Sequence, residues 1–197
     1  MIIRKINIGG ISEKEYSEIA EFFPETAKEI KNYRPDDKKR TLAGRFLLKK
    51  MIKELYGREN FVLCFNQNGK PALDFCFFNI SHSGDFAVCA VSDFPVGVDI
   101  ERKGGFKVRE RYMLFSPRES EYVNKFDSED RFYTLWTRKE AYIKAKGGII
   151  ADAAGAELVT PDLKLKDMYD GFSFTTEITD GYILSAAEYK QPRYKPQ

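Results

Sequence analysis

Histidine, tryptophan and long apolar stretches are scarce in this chain of 197 residues, which contains one histidine and one tryptophan. A single histidine excludes zinc-protease and multi-histidine metal sites, because both need several imidazole ligands. The longest apolar run, Phe86 to Val91, is far shorter than the roughly 20 residues that span a bilayer. The chain meets Arg4 and Lys5 before a helix cap, so we also expect no signal peptide and no membrane partner.

Cysteine is also rare, and the three residues are Cys64, Cys76 and Cys89. Their number is odd and no two form a Cys-x-x-Cys pair, which argues against a disulfide framework. Each lies in an apolar, strand-like run. We therefore expect buried thiols and a reducing, cytoplasmic location.

The overall composition, with 43% apolar and 31% charged residues, is typical of a globular protein. Net charge is only +2, but the segment from Lys28 to Arg58 has eleven basic and four acidic residues, a local balance of +7. This segment is either a solvated helical face or a phosphate-binding rim or docking surface for an acidic partner. Near-neutral overall charge predicts no nucleic-acid partner.

Capping signals mark the helices of the first half. Ser12 and Glu15 form a capping box that predicts a helix start, and Pro24 interrupts this helix. A second helix is predicted from near Asp36 to Gly57. Strand-like runs follow, with a turn at Asp93 and Pro95 between the last two. These runs are Phe61 to Phe65, Phe75 to Ile80, Phe86 to Val91 and Val96 to Ile100.

The second half repeats this order of helices followed by strands. The helix signals are the cap Ser116-Pro117-Arg118-Glu119, the start Ser128-Glu129-Asp130 and the stop Gly147. Asp180-Gly181 between two strand-like runs predicts a hairpin. The fold class predicted is α+β, with two similar α/β lobes, 1–95 and 96–197, and an active site at their junction.

Two acids two residues apart, Asp99 and Glu101, are the first candidate site residues. On a strand, alternate side chains share one face, so both carboxylates project to the same side. Two adjacent anions repel unless a cation or a donor lies between them, and hard oxygen ligands suit Mg²⁺ or Mn²⁺. The alternative is a solvent-facing strand edge.

On the long helix of the second half, Trp136, Glu140 and Lys144 follow each other at intervals of four and share one stripe. Leu135, Lys139 and Ile143 form the neighbouring stripe. A surface ion pair would explain Glu140 and Lys144 alone. The sole tryptophan at the head of this polar stripe instead favours a partly buried pair in a cleft.

Two further segments contain candidate anion ligands. His82 follows Ser81 near a strand end, where a ring and backbone N–H groups could bind an anion, but the two side chains diverge and form no catalytic triad. A loop histidine without a special role is the alternative. The segment Gly69-Lys70-Pro71 is not a Walker loop, yet Lys70 could meet a phosphate as a point charge.

Taken together, these segments resemble the 4′-phosphopantetheinyl transferases of the Sfp-like, two-lobed monomeric type. The matching motifs occur in the family's order over residues 37–148. They are Asp37-x-x-Arg40-x-Leu42-x-Gly44, Gly69-Lys70-Pro71, Asn79-Ile80-Ser81-His82-Ser83, Val96-Gly97-Val98-Asp99-Ile100-Glu101, Phe115-Ser116-Pro117-Arg118-Glu119 and Trp136-x-x-Lys139-Glu140-Ala141-x-x-Lys144.

The resemblance implies two lobes related by a pseudo-twofold axis and the transfer of phosphopantetheine from coenzyme A to a serine of an apo carrier protein. It implies an acidic acyl or peptidyl carrier protein as partner, a monomer, and Mg²⁺ held by Asp99, Glu101 and Glu140. The residues implied to bind coenzyme A are Arg40, Gly69, Lys70, Pro71, Ser81, His82 and Lys144.

The catalytic residues implied are Glu140, Lys144 and Glu101. A serine hydroxyl is a weak nucleophile near neutral pH, so a carboxylate must accept its proton. Glu140 is assigned as this base, and Glu101 acting through a water is the alternative.

Two other functions stay open, a Mg²⁺-dependent nucleotide pyrophosphatase and a non-catalytic coenzyme A-binding module. Phe106 or Met113 could contribute to carrier choice.

Overall fold

The computed structural model describes residues 1–66, 69–104, 114–125, 129–179 and 181–190, with only the backbone of residues 150 and 151. In these ranges, no helix is both long and apolar enough to cross a membrane. The α-helices are α1 (Glu13–Phe22), α2 (Pro24–Glu29), α3 (Pro35–Tyr56), α4 (Pro117–Asn124) and α5 (Glu129–Lys146). Short 3₁₀ turns span Ile8–Gly10, Ile30–Asn32 and Ile150–Gly155.

The strands form two main antiparallel sheets. The first sheet has the order β1-β5-β4 and the second the order β6-β9-β8-β7, while β2 and β3 pair as a separate ribbon. The strands are β1 (Ile2–Asn7), β2 (Cys64–Phe65), β3 (Pro71–Ala72), β4 (Phe77–Ser83), β5 (Phe86–Ser92), β6 (Val96–Arg102), β7 (Met168–Tyr169), β8 (Phe172–Thr179) and β9 (Tyr182–Tyr189).

Most helix boundaries predicted from local signals are confirmed. The capping box of Ser12 and Glu15 is formed, and α3 ends before Gly57, which has the left-handed φ of 66° that glycine tolerates. The second predicted box starts α4 at Ser116. The hairpin predicted at Asp180-Gly181 joins β8 and β9. Ser128 and Asp180 themselves lie outside the described residues.

The strand prediction for Phe61 to Phe65 is wrong over most of its length, because only Cys64–Phe65 forms a strand. Its partner is equally short and begins at Pro71, which has no N–H to donate to a longer ladder. Phe61 and Leu63 instead pack from a non-strand segment against the core. The strand predicted from Phe75 to Ile80 begins at Phe77 and continues to Ser83.

The core has four layers in the order α3, first sheet, second sheet, α5. On the strand β5, Cys89 and Val91 face α3, while Val88 and Ala90 pack against β6 and β9. This strand is buried on both faces, which explains its uninterrupted apolar sequence. A larger apolar cluster lies between α5 and the second sheet and includes Trp136. The predicted α+β class is confirmed, and its division into two similar lobes stays a prediction.

Helix α5 touches the backbone of β6 at Gly97. A Cβ atom built on Gly97 would lie 2.0 Å from the carbonyl oxygen of Ala141 and 2.5 Å from the backbone nitrogen of Ala145. Both atoms belong to helical backbone, so neither can move aside as a flexible side chain would. The absence of a side chain at Gly97 therefore sets the height at which α5 lies above β6.

We expect Gly97→Ala to lower the free energy of unfolding by about 3 kcal/mol, the upper end of the usual overpacking cost, because helix and strand must separate. Urea denaturation checks this value. Gly10→Ala is the matched control, since a Cβ at Gly10 meets nothing within 4 Å. Equal stability of the two variants would contradict the close approach.

Candidate active site

Strands β4 and β6 lie side by side at the point where the two main sheets meet, and side chains rather than a backbone ladder join them. Alternate residues of β4 accept hydrogen bonds from alternate backbone N–H groups of β6, and we call this contact the β4–β6 seam. The pairs are Asn79 with Val98 at 2.8 Å, Ser81 with Ile100 at 3.5 Å and Ser83 with Arg102 at 3.0 Å. From one pair to the next, both strands advance by two residues, so β4 and β6 run in the same direction.

Asp99 lies buried at this seam, with 4% of its surface exposed. Its Oδ1 atom accepts hydrogen bonds from Ser81 Oγ at 2.8 Å and from Lys144 Nζ at 2.6 Å. Its Oδ2 atom is buried and accepts no hydrogen bond from the described part of the chain. Burial of a carboxylate oxygen without a donor is costly, so a ligand at Oδ2 would be stabilising.

Lys144 connects the helix to the strand acids. Its ammonium bonds to Asp99 and also lies 3.3 Å from Ser81 Oγ. Burial disfavours the charged form, but the charges of Asp99, Glu140 and Glu101 outweigh burial and raise the pKa of Lys144. The three predicted acids therefore act on one ammonium, which stays charged at neutral pH. Glu140, the partner predicted for Lys144 on its own helix, is not its only anion, since the ammonium also lies 2.6 Å from Asp99 Oδ1 on β6.

Glu101 is half-buried two residues beyond Asp99 on the same face of β6. Its Oε2 atom accepts a hydrogen bond from Ser83 Oγ at 3.1 Å. Among the described residues, no three His, Cys, Asp or Glu side chains are arranged as a ready metal site. The carboxylate oxygens of Asp99, Glu101 and Glu140 nevertheless suit Mg²⁺. The Oδ2 atom of Asp99, which accepts no hydrogen bond in the described part of the chain, is suited to coordinate a cation.

Lys70 reaches the end of α5 from the β2–β3 ribbon. Its ammonium donates to the carbonyl oxygen of Lys144. Burial, and then the nearby charge of Lys144, lower the pKa of Lys70 to about 8. Gly69 before it adopts a φ of 74°, and Pro71 after it begins β3.

Two cavities of about 510 and 180 Å³ meet at Lys70 and Pro71. The larger one extends between the ribbon and the end of α5, and includes Ala145 and Gly147. The smaller one is bordered by Arg45 and His82. Because Lys70 lines both cavities together with apolar residues such as Pro71 and Phe78, they suit an anionic, partly apolar ligand.

His82 lines the smaller cavity, and Arg40 lies at the turn that follows β4. The side chains of Ser81 and His82 diverge as predicted, since Ser81 is buried at the seam and His82 is exposed on the other face of β4. Arg40 Nε donates to the carbonyl oxygen of Gly84 at 2.8 Å, and Arg40 Nη1 lies 2.8 Å from Asp37 Oδ1. Arg40 is thereby held at the turn that ends β4.

A fully buried ion pair, not predicted from the sequence, anchors α5 from its other side. Lys139 Nζ lies 2.7 Å from Glu119 Oε2, and neither side chain is exposed. The ammonium also donates to the carbonyl oxygens of Leu114 and Ala153, at 3.2 and 2.8 Å. The signal in the sequence was a lysine between Leu135 and Ile143 on an otherwise apolar stripe.

Three further predictions concern the cysteines, the residues suggested for carrier choice and the tryptophan. Cys76 and Cys89 are buried as expected, but Cys64 is exposed, because the short ribbon in which it lies is open to solvent. Phe106 and Met113, suggested for carrier choice, lie outside the described residues. Trp136 is buried in the core against the second sheet.

Two family models match the chain in succession. The model described as 4'-phosphopantetheinyl transferase, N-terminal, covers residues 11–93, and that of the 4'-phosphopantetheinyl transferase superfamily covers residues 95–180. The first match contains Arg40, Lys70, Ser81 and His82, and the second contains the acids and Lys144. The chain belongs to the 4'-phosphopantetheinyl transferase superfamily.

Curated relatives support the Sfp-like type. A 4'-phosphopantetheinyl transferase from Bacillus subtilis is 36% identical over 160 residues, which cover 76% of this chain and 67% of that protein. The transferase Sfp from Bacillus subtilis strain 168 is 32% identical over 147 residues, 70% of this chain and 66% of Sfp. The transferase gsp from Aneurinibacillus migulanus is 40% identical over 119 residues, 56% of this chain and 49% of gsp. The chain thus spans half to two thirds of these relatives' length.

We expect Lys139→Met to lower the free energy of unfolding by about 3–5 kcal/mol, because it leaves the Glu119 carboxylate buried without its counter-ion. Chemical denaturation followed by tryptophan fluorescence measures this loss. Lys14→Met serves as the control, since the side chain of Lys14 is 86% exposed. A loss below about 1 kcal/mol would show that the pair is dispensable for stability.

Proposed function

We propose that this protein transfers the 4′-phosphopantetheine group of coenzyme A to a serine of an apo carrier protein, in a Mg²⁺-dependent reaction that releases 3′,5′-ADP. The observation that carries the proposal is the convergence of Asp99 and Glu101 from β6 with Glu140 and Lys144 from α5. Family membership and the names of the relatives support it.

In this reaction the serine oxygen attacks the phosphorus that bears pantetheine. A new phosphoester bond forms there, the bond to the bridging pyrophosphate oxygen breaks, and 3′,5′-ADP leaves with the electron pair of that bond. The serine proton must pass to a base as the new bond forms. Glu140 is proposed as this base, and Glu101 acting through a water stays the alternative.

The cations of the site would neutralise the pyrophosphate. Lys144, kept protonated by its three acidic neighbours, would stabilise the charge that grows on the leaving oxygen. Mg²⁺, or Mn²⁺ in its place, would be held by Asp99, Glu101 and Glu140 and would supply Lewis-acid stabilisation of the same oxygens.

The nucleotide of coenzyme A is proposed to lie along the two cavities that meet at Lys70. Lys70, His82 and Arg40 would bind the 3′-phosphate or the adjacent nucleotide, and Ser81 would contact the pyrophosphate. Gly69 and Pro71 would shape the wall beside Lys70. Lys70, which lines both cavities, also donates to the carbonyl oxygen of Lys144, and this contact supports the proposed path.

We propose two lobes, 1–95 and 96–197, because each main sheet draws its strands from one of these segments. The partner is an acidic acyl or peptidyl carrier protein, and the enzyme acts as a cytoplasmic monomer. The basic segment from Lys28 to Arg58 is available for an acidic partner, since Lys31, Arg34 and Lys53 are exposed.

Mass spectrometry of apo carrier proteins incubated with coenzyme A and Mg²⁺ tests the reaction. We expect Asp99→Asn and Glu140→Gln to lower the rate by roughly 10²–10⁴-fold, as loss of a cation ligand or base does. Glu177→Gln is the matched control, an acid 59% exposed on β8, and should keep the wild-type rate.

The alternatives give different results in the same assay. Cleavage of coenzyme A without any carrier protein would favour the pyrophosphatase. Tight binding of coenzyme A without turnover, across a panel of fatty-acid, polyketide and nonribosomal-peptide carriers, would favour the binding module. Added phosphopantetheine mass on one carrier would exclude both.

The pKa of Lys70 predicts how the KM for coenzyme A depends on pH. A lysine with a pKa of about 8 is mostly protonated at pH 7 and only about one tenth protonated at pH 9. Since only the charged form attracts a phosphate, we expect the KM to rise up to roughly tenfold across this range. Lys70→Arg, which stays charged, should remove this rise. Identical pH profiles of KM for both proteins would contradict the assignment.

A further inference from the structure

Ser83 stands at the end of the β4–β6 seam and touches both the backbone and an acid of β6. Its Oγ atom accepts a hydrogen bond from the N–H of Arg102 at 3.0 Å. The same oxygen lies 3.1 Å from Oε2 of Glu101.

The direction of these two hydrogen bonds follows from the donors. A backbone N–H can only donate, so Ser83 Oγ is the acceptor toward Arg102. An ionised carboxylate can only accept, so the single hydroxyl proton of Ser83 must point at Glu101. The backbone of β6 thus fixes the serine, and the serine in turn fixes the carboxylate.

The same arrangement occurs two residues earlier. Ser81 Oγ accepts from the N–H of Ile100 and donates to Oδ1 of Asp99. Asn79, two residues earlier again, accepts from the N–H of Val98 at 2.8 Å and makes no hydrogen bond to an acid within the described ranges. All three side chains join the strands, but the two serines also hold the acids.

We propose that Ser83 is a positioning residue of the cation site, which orients Glu101 toward the ligands on α5. This inference rests on the proposed function. Glutamate has three rotatable side-chain bonds, and Glu101 is half-buried, so a directed donor restricts its carboxylate to a useful orientation.

The test measures the dissociation constant of Mn²⁺ by isothermal titration calorimetry, with coenzyme A present and no carrier protein. We expect Ser83→Ala to weaken Mn²⁺ binding by 10–100-fold, the usual effect of removing a hydrogen bond to a metal ligand. Coenzyme A affinity without the metal should stay unchanged. Ser83→Thr, which keeps the hydroxyl, should retain Mn²⁺ affinity within about twofold of wild type.

Asn79→Ala is the matched control, because it removes a seam hydrogen bond of the same kind at a residue that binds no acid in the described part of the chain. It should lose stability but keep its Mn²⁺ affinity. Equal weakening of Mn²⁺ binding in Ser83→Ala and Asn79→Ala would overturn the inference, since both would then act through the strands alone.

A second pair of variants keeps the test decisive if Ser83→Ala does not fold. Ser83→Val and Ser83→Thr have similar shapes, suit a strand, and differ by a methyl group in place of the hydroxyl. Equal Mn²⁺ affinity in this pair would also overturn the inference. If the wild type modifies no carrier but Mn²⁺ binding still depends on the Ser83 hydroxyl, the proposed function fails and the positioning role stands.

Discussion

The hydrogen bonds from β4 side chains to the backbone of β6 are the contact on which the site depends. Two edge strands with unpaired N–H groups would ordinarily need a complete ladder or solvent. Here Asn79, Ser81 and Ser83 supply acceptors instead. Because the serine hydroxyls are acceptors in these bonds, each still has its own proton to donate. Both serines donate it to acids of β6. One set of contacts therefore joins the sheets and orients the carboxylates.

Helix α5 is held against this strand by two independent constraints. The bare backbone of Gly97 admits the helix at close range, and the buried pair of Lys139 and Glu119 ties it to the segment around α4. Glu119 also completes the capping box of α4, so one carboxylate serves two elements. A helix restrained on both sides holds Lys144 against Asp99, as a pre-organised site requires.

The acids of the site and the ammonium of Lys144 stabilise each other's charges. Three acids close together would repel, and one would take up a proton, unless a cation lay among them. Lys144 is such a cation in the structure, and its raised pKa reflects the same three acids. Burial, and then the nearby charge of Lys144, lower the pKa of Lys70 to about 8, so these two lysines differ in charge above about pH 8.

Local patterns in the sequence determined the helices, because capping boxes, prolines and Gly57 act through neighbouring residues. They also placed Asp99 and Glu101 on one face of a strand and Glu140 and Lys144 on one face of a helix. The sequence did not determine the length of β2, the exposure of Cys64 or the burial of Lys139, since each depends on which distant segment packs beside it. Only the tertiary structure decided that Lys144 pairs with Asp99 and that Ser83 meets Glu101, because those contacts join strands and helices that no local signal relates.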